Sequence, residues 1–323
     1  MILFELYLQV EQSSQSSALK AKLFPGRPND YIAKGTKGEP TVLIANSGGR
    51  NQVAPIELRN LIVEYAVPME VHHETGVTQG TFIVLAANHN RPDLYEAFCA
   101  MVEAAVSGLT SNPTSEEVEH TVQALIELFR AAISPPKKTV VGLWGELLLI
   151  DASPDPTVAI RAWHVTPFDT HDFVFGSQAI EVKSTERTER IHEFNHNQLV
   201  HAAGKTVLII SVLLRRSSTG YSCQDFADAI LLRLSDQQAR LKLLRVIHES
   251  LGDEIQEAND IRFDHKEALN LTRQVLADML PVVDVPPNSG ISNIRYSINI
   301  DACVPAITLG ELDFTRLFCG QPG

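Results

Sequence analysis

Nowhere in its 323 residues does the chain carry an unbroken apolar run of the roughly 18–20 residues that a membrane helix needs, so no membrane span and no membrane partner is expected. The opening MILFELYLQV contains Glu5, lacks a basic start and has no small-residue cleavage site, and it is not read as a signal peptide. Cysteine is scarce. Cys99, Cys223, Cys303 and Cys319 lie far apart without metal-ligand spacing, which argues against a zinc site and fits free thiols in a reducing cytoplasm. Other catalytic signatures are missing: no Gly-x-Ser-x-Gly elbow, no phosphate-loop Gly-Lys-Ser/Thr pattern and no paired-glycine dinucleotide fingerprint. A chain without a phosphate loop is not itself an ATP-driven motor. There is no internal repeat and no low-complexity segment. Basic residues are also short in supply: 27 Lys and Arg against 39 Asp and Glu leave a formal charge of −12. Such a chain does not coat nucleic acid by bulk electrostatics, because phosphate binding works through Lys and Arg displacing counterions. Any nucleic-acid contact is therefore local, and partner subunits that deliver the protein to DNA would suit this charge.

What is present is an ordinary globular composition, 44% hydrophobic and 20% charged, long enough for two domains. The most informative stretch is His171 to Thr185, HDFVFGSQAIEVKST. Two short apolar arms flank Gly176-Ser177, and glycine at the first central position suits a type II′ hairpin. Pairing about that turn sets Asp172 opposite Glu181, and strand alternation puts Lys183 on the same face as Glu181. Two carboxylates so placed repel each other unless a cation sits between them or one takes up a proton. The hairpin has the makings of a site for a hard metal ion.

Residues 1–134 read as a first domain, β-rich and then helical. Short apolar runs (41–45, 58–65, 81–86) alternate with Gly, Pro and Asn clusters, and from Pro92 apolar residues recur at spacings of three and four, with Ser115 as the expected cap of the second helix. His72-His73-Glu74 reads as solvated surface, since neighbouring strand residues point to opposite faces. The run 134–138, Ser-Pro-Pro-Lys-Lys, reads as a hinge into a second domain, 135–323. In 139–150 the only charged residue is Glu146, so it is either a helix-end acid reaching solvent or a functional one. His164 and His171 flank the loop before the hairpin and read as structural, with proton transfer as the alternative. Arg187 and Arg190 lie just beyond Lys183 and are candidates for phosphate contact, as is Lys205; surface ion pairing is the bland alternative for the two arginines. Residues 194–203 are expected to be a helix carrying Gln198, 207–214 a buried strand, 225–251 and 266–280 helices, and 282–285 and 291–300 strands.

At the hairpin the chain resembles the PD-(D/E)XK nuclease superfamily, whose signature is an Asp on one strand and Glu-x-Lys on the next. Asp172 matches the first acid and Glu181-Val182-Lys183 the second acid, spacer and lysine; His171 stands where the leading Pro would be. The run GLWGELLLID, Trp163 and the later Gln-Leu add similarity to an uncharacterised bacterial branch associated with restriction or phage defence, over about residues 139 to 215. The resemblance implies a restriction-endonuclease-like αβββαβ core within an α/β (α+β) fold, with C-terminal helical and strand additions. It implies Mg²⁺ or Mn²⁺ held by Asp172, Glu181 and the Val182 carbonyl, with Glu146 as an extra acid. It also implies Lys183 at the attacking water and Gln198 as a nearby polar residue. The expected activity is metal-dependent hydrolysis of DNA phosphodiester bonds. A non-catalytic nucleic-acid-binding or scaffold subunit, and a nuclease acting on RNA or on branched or nicked DNA, are the alternatives. Cutting two strands takes two active centres, which leaves a homodimer and a partnered complex both open.

Overall fold

In the computed structural model the described residues are 2–311, apart from 16, 46–53, 59, 111–112, 132–138, 165–168, 201–205, 285–292 and 305–309. The expected hinge, Lys205 and Cys319 lie outside them. The chain forms two compact units, residues 1–134 with 240–248 and residues 135–239 with 249–323. The inclusion of 240–248 in the first unit differs from the division expected at 134/135 alone: an amphipathic stripe shows that a helix packs, not what it packs on.

In the first unit, α1 (Ile2–Leu8) precedes strands β1 (Ala18–Phe24), β2 (Arg27–Lys34), β3 (Pro40–Ala45), β4 (Ile56–Glu57), β5 (Leu61–His73) and β6 (Gly76–Ala87), followed by α2 (Tyr95–Val106) and α3 (Ser115–Ala131). The sheet runs β1-β2-β3-β6-β5-β4, and β1 also pairs in parallel with β5, so five strands close into a ring with β4 as an appendage. Alternate residues of these strands fill the ring, among them Leu19, Tyr31, Leu43, Val71 and Phe82. A register shift between Glu64 and Val67, with Ala66 at φ 52°, bends β5 so that its two ends serve different neighbours. The cap of α3 is Thr114 and not Ser115. Its Oγ1 accepts from the Glu117 amide while its own amide donates to the Glu117 carboxylate, a reciprocal Thr-x-x-Glu arrangement.

The second unit has the order expected of the nuclease core. Helix α4 (Val140–Ala152) and the short α5 (Pro156–Ala162) lead into β7 (Phe173–Phe175), β8 (Gln178–Thr185) and β9 (Ile191–Asn195), then α6 (His196–Leu199) and β10 (Thr206–Leu213). After these come β11 (Arg216–Tyr221), α7 (Cys223–Arg233), α8 (Gln237–Leu251, of which 240–248 belong to the first unit), α9 (Ile255–Asn259), α10 (His265–Leu271), β12 (Arg273–Leu276), β13 (Arg295–Asn299), α11 (Ile300–Cys303) and β14 (Gly310–Glu311). The main sheet runs β14-β12-β10-β8-β7, with β8 and β10 parallel and buried at its centre. β9 leaves it to pair with β13. Phe194, Leu199, Val207, Ile209, Val275, Ile298 and Ile300 pack together as a core cluster. Trp144 on α4 stacks edge-on against Phe226 and Phe263 and donates its Nε1 to the Tyr221 carbonyl.

Three expected helices are different. Residues 191–195 alternate in burial and form β9, and Asn195 with Gln198 builds a capping box that starts α6 only at His196. The 225–251 stretch breaks between α7 and α8 around Asp236, whose Oδ1 accepts from the Ala239 amide. The 266–280 stretch ends as a helix at Leu271, where Thr272 turns extended and the chain continues as β12. The expected strand at 282–285 has no regular structure over 282–284. No helix among the described residues is long and apolar enough to cross a membrane.

Candidate metal-dependent active site

The β7–β8 hairpin has the register that its turn demands: Phe173 pairs with Ile180, Val174 with Ala179 and Phe175 with Gln178, and Gly176 takes φ 56°. The ladder stops one residue short of Asp172, so among the described residues no strand pairs with the β7 side of β8 beyond Ile180. Asp172 covers that edge, its Oδ2 accepting from the Val182 amide at 2.8 Å. A strand residue directs its amide and carbonyl to the same side. The Val182 carbonyl therefore faces the edge on which Asp172 sits.

Glu181 and Lys183 share one face of β8, and Lys183 Nζ lies 2.8 Å from Glu181 Oε1. Gln198 ties the pair together: its Nε2 donates to Glu181 Oε1 at 2.6 Å and its Oε1 accepts from Lys183 Nζ at 3.1 Å. The same Oε1 also accepts from the Asn195 amide, so the capping box that starts α6 fixes this side chain in place. Lys183 also sits 5.1 Å from the centre of the Phe194 ring. Glu181 is only 3% exposed, and its Oε2 has no hydrogen-bond partner among the described residues. Burial pushes its carboxyl up to about 8; the Asp172 carboxylate adds to the rise and Lys183 opposes it.

Glu146 is buried at mid-helix rather than reaching solvent from a helix end. Gly145 makes this possible, because a Cβ there would lie 1.9 Å from Ser184 Oγ, so only glycine lets α4 approach β8 this closely. Glu146 Oε2 accepts from Trp163 Nε1 at 2.7 Å and faces His164 Nε2 at 3.0 Å. His164 Nε2 is 4.0 Å from Asp172 Oδ1, and one donor atom each from Glu146, His164 and Asp172 all fall within 4.8 Å of one another. Glu146, Asp172, Glu181, Val182 and Lys183 line a cavity of about 560 Å³ that also borders Thr139 and Gly142 at the start of α4, Arg187 and His192. A cluster of two carboxylates and an imidazole, with the buried Glu181 carboxylate lining the same cavity as Glu146 and Asp172, fits a divalent cation.

The remaining candidates are dispersed. Arg187 is exposed on the cavity wall. Arg190 is not a surface cation: it is 5% exposed, and its guanidinium donates to the Ser211 hydroxyl and carbonyl and to the Leu271 carbonyl, with Asp301 beside it. A guanidinium buried this deeply and held by these acceptors is not presented at the surface to a phosphate. His171 donates to the Gln198 carbonyl at 3.1 Å, a bond that braces the loop against α6. Two side chains acquire roles other than those read from the sequence. His164 enters the acidic cluster as a candidate ligand, and Trp163 orients Glu146. His192, hydrogen-bonded to Ser211 Oγ at 2.7 Å, supports the floor beside Lys183; burial and the nearby cations lower its ring to about 3, so it is neutral.

Comparison with curated proteins and with solved structures finds no match. A family profile, described as "Putative PD-(D/E)XK family member" (DUF4420), matches residues 8–301 and so takes in both units. With its αβββαβ order and its Asp, Glu-x-Lys hairpin, the chain belongs to this PD-(D/E)XK family.

Proposed function

We propose that the protein is a divalent-cation-dependent endodeoxyribonuclease, Mg²⁺ or Mn²⁺ being the ion, that works in a bacterial restriction or phage-defence setting. The observation that carries the reading is the meeting of Asp172, Glu181 and Lys183 on one cavity wall with Glu181 Oε2 buried and unpartnered. Asp172, Glu181, the Val182 carbonyl and Glu146 would hold the ion, which when bound supplies charge neutralisation at the phosphate and a more acidic water. Lys183 is placed to offset charge on a phosphate oxygen and to hold the attacking water in line. Gln198 fixes the lysine and Glu181 relative to each other. Arg187 is the cation available to the flanking phosphate backbone. The bacterial setting and the choice of DNA rest on the resemblance in residues 139–215.

A scaffold that had lost catalysis would have no reason to keep a buried carboxylate pushed to about 8 beside a second one, since that arrangement costs stability without a cation. The test is a substrate panel of supercoiled plasmid, nicked and branched DNA, and RNA, with Mg²⁺ or Mn²⁺ and with a chelator. Metal-dependent nicking of the plasmid is the expected result. Cleavage confined to RNA or to branched DNA would move the substrate assignment, and binding without any cleavage would favour the scaffold.

A further inference from the structure

Glu146, His164 and Asp172 are brought together by backbone as well as by side chains. Trp163 and Phe173 form an isolated β-bridge, and the His164 amide donates to the Asp172 carbonyl at 2.9 Å, so residue 164 is locked across from the first acid of the motif. His164 holds φ 41°, in the left-handed region that costs most side chains free energy and that persists where the surroundings impose it. Its ring is partly exposed, with a side-chain exposure of 24%, while Nε2 faces Glu146 Oε2 at 3.0 Å. A six-coordinate ion with bonds of about 2.1–2.2 Å sets adjacent ligand atoms about 3.0 Å apart and opposite ones about 4.3 Å apart. The 3.0 Å and 4.0 Å separations from His164 Nε2, with the three donor atoms all within 4.8 Å of one another, lie close to these spacings, so a small closing of the side chains would gather them about one ion. Trp163 Nε1 on Glu146 Oε2 supplies the outer hydrogen bond that orients such a ligand. The unpartnered Glu181 Oε2, buried on the same cavity as Glu146 and Asp172, independently points to a cation there.

We infer that His164 is a metal ligand, and that its imidazole makes this centre select a borderline first-row divalent ion, Mn²⁺ as probe, over Mg²⁺. The inference rests on the metal-dependent reading of the same site and specifies its ion. An all-oxygen set suits Mg²⁺, which keeps its waters and gains little from nitrogen, whereas an imidazole favours the later ions.

The experiment measures Mn²⁺ and Mg²⁺ binding to the full chain by calorimetry, with electron spin-echo spectroscopy of the Mn²⁺ form, in the native protein and in H164N and H164Q. Asparagine tolerates the left-handed backbone, so H164N keeps the loop; circular dichroism checks both variants. The expected results are ¹⁴N coupling to Mn²⁺ in the native protein, its loss in both variants, and a fall of about tenfold in the Mn²⁺ to Mg²⁺ affinity ratio. Bound Mn²⁺ without nitrogen coupling, or an unchanged ratio in H164N, would overturn the assignment while leaving the nuclease reading standing. Nitrogen coupling in a protein that cleaves nothing would support the ligand and defeat the nuclease.

Discussion

His192 shows how the site depends on neutral, dehydrated neighbours. Its ring is held at about 3, against an ordinary 6.5, by burial first and then by the charges of Lys183, Arg190 and Arg187. A group whose folded value is depressed contributes stability that is present above its unfolded value and lost as pH falls toward the folded one. The native protein should therefore lose up to about 1.4 kcal/mol per pH unit through this residue between pH 6.5 and 3. H192Q, which can still bond Ser211, should show a shallower slope of unfolding free energy in denaturant titrations across that window. Equal slopes in the two proteins would remove the assignment. Single residues were unevenly legible. The order Asp, Glu, Lys could be placed because a two-residue turn and strand alternation are local rules. Arg190 could not, because nothing in Glu189-Arg190-Ile191 announces that Ser211 and Leu271 will enclose it. His164 reads from the sequence as a structural loop histidine, with proton transfer as the alternative; its place opposite Asp172 depends on one isolated bridge across a loop.

Among the elements, α4 and β8 form the joint on which the acids depend. Gly145 lets the helix press against Ser184 and Val182, and Glu146 follows it into the cavity. G145A should cost about 1–3 kcal/mol through overpacking and reduce cleavage by moving Glu146. Adding S184G, which removes the atoms 1.9 and 3.2 Å from that Cβ, should restore a good part of both; thermal unfolding and plasmid nicking read the pair. A G145A protein of native stability and activity would show that the close approach is dispensable. The elements easiest to anticipate were those with a strong local period, such as β10 and the hairpin. The failures were at element ends. In 194–203 an apolar spacing compatible with a helix lost to β9 pairing and to a cap at Asn195, and in 266–280 the helix gave way after Leu271 to pairing with β10.

For the whole molecule, a net charge of −12 means that the DNA binding of the proposed function would fall to a few local cations. Among the described residues Arg187 is the Lys or Arg on the cavity wall besides Lys183, so R187A should weaken binding to all sequences alike and lower the slope of log affinity against log salt by about one. Binding isotherms at several salt concentrations measure this, and an unchanged slope would place the phosphate contact elsewhere. The family and the αβββαβ order could be reached from one hairpin and its flanks. The closed five-strand ring of the first unit could not, because closure depends on β1 meeting β5, a parallel pairing about fifty residues apart in sequence.

The central claim is that Asp172, just ahead of β7, and Glu181 and Lys183 on β8 perform hydrolysis together. Its most direct test is cleavage of supercoiled plasmid with Mn²⁺ by the native chain and by K183A, both confirmed folded by circular dichroism. Glu181, whose carboxyl sits near 8, tolerates the neutral form when its partner is lost, so K183A is expected to fold, with Asp172, Glu146 and the Val182 carbonyl left in place toward the ion. The account predicts nicking by the native protein and none by K183A; undiminished cleavage by K183A would contradict it.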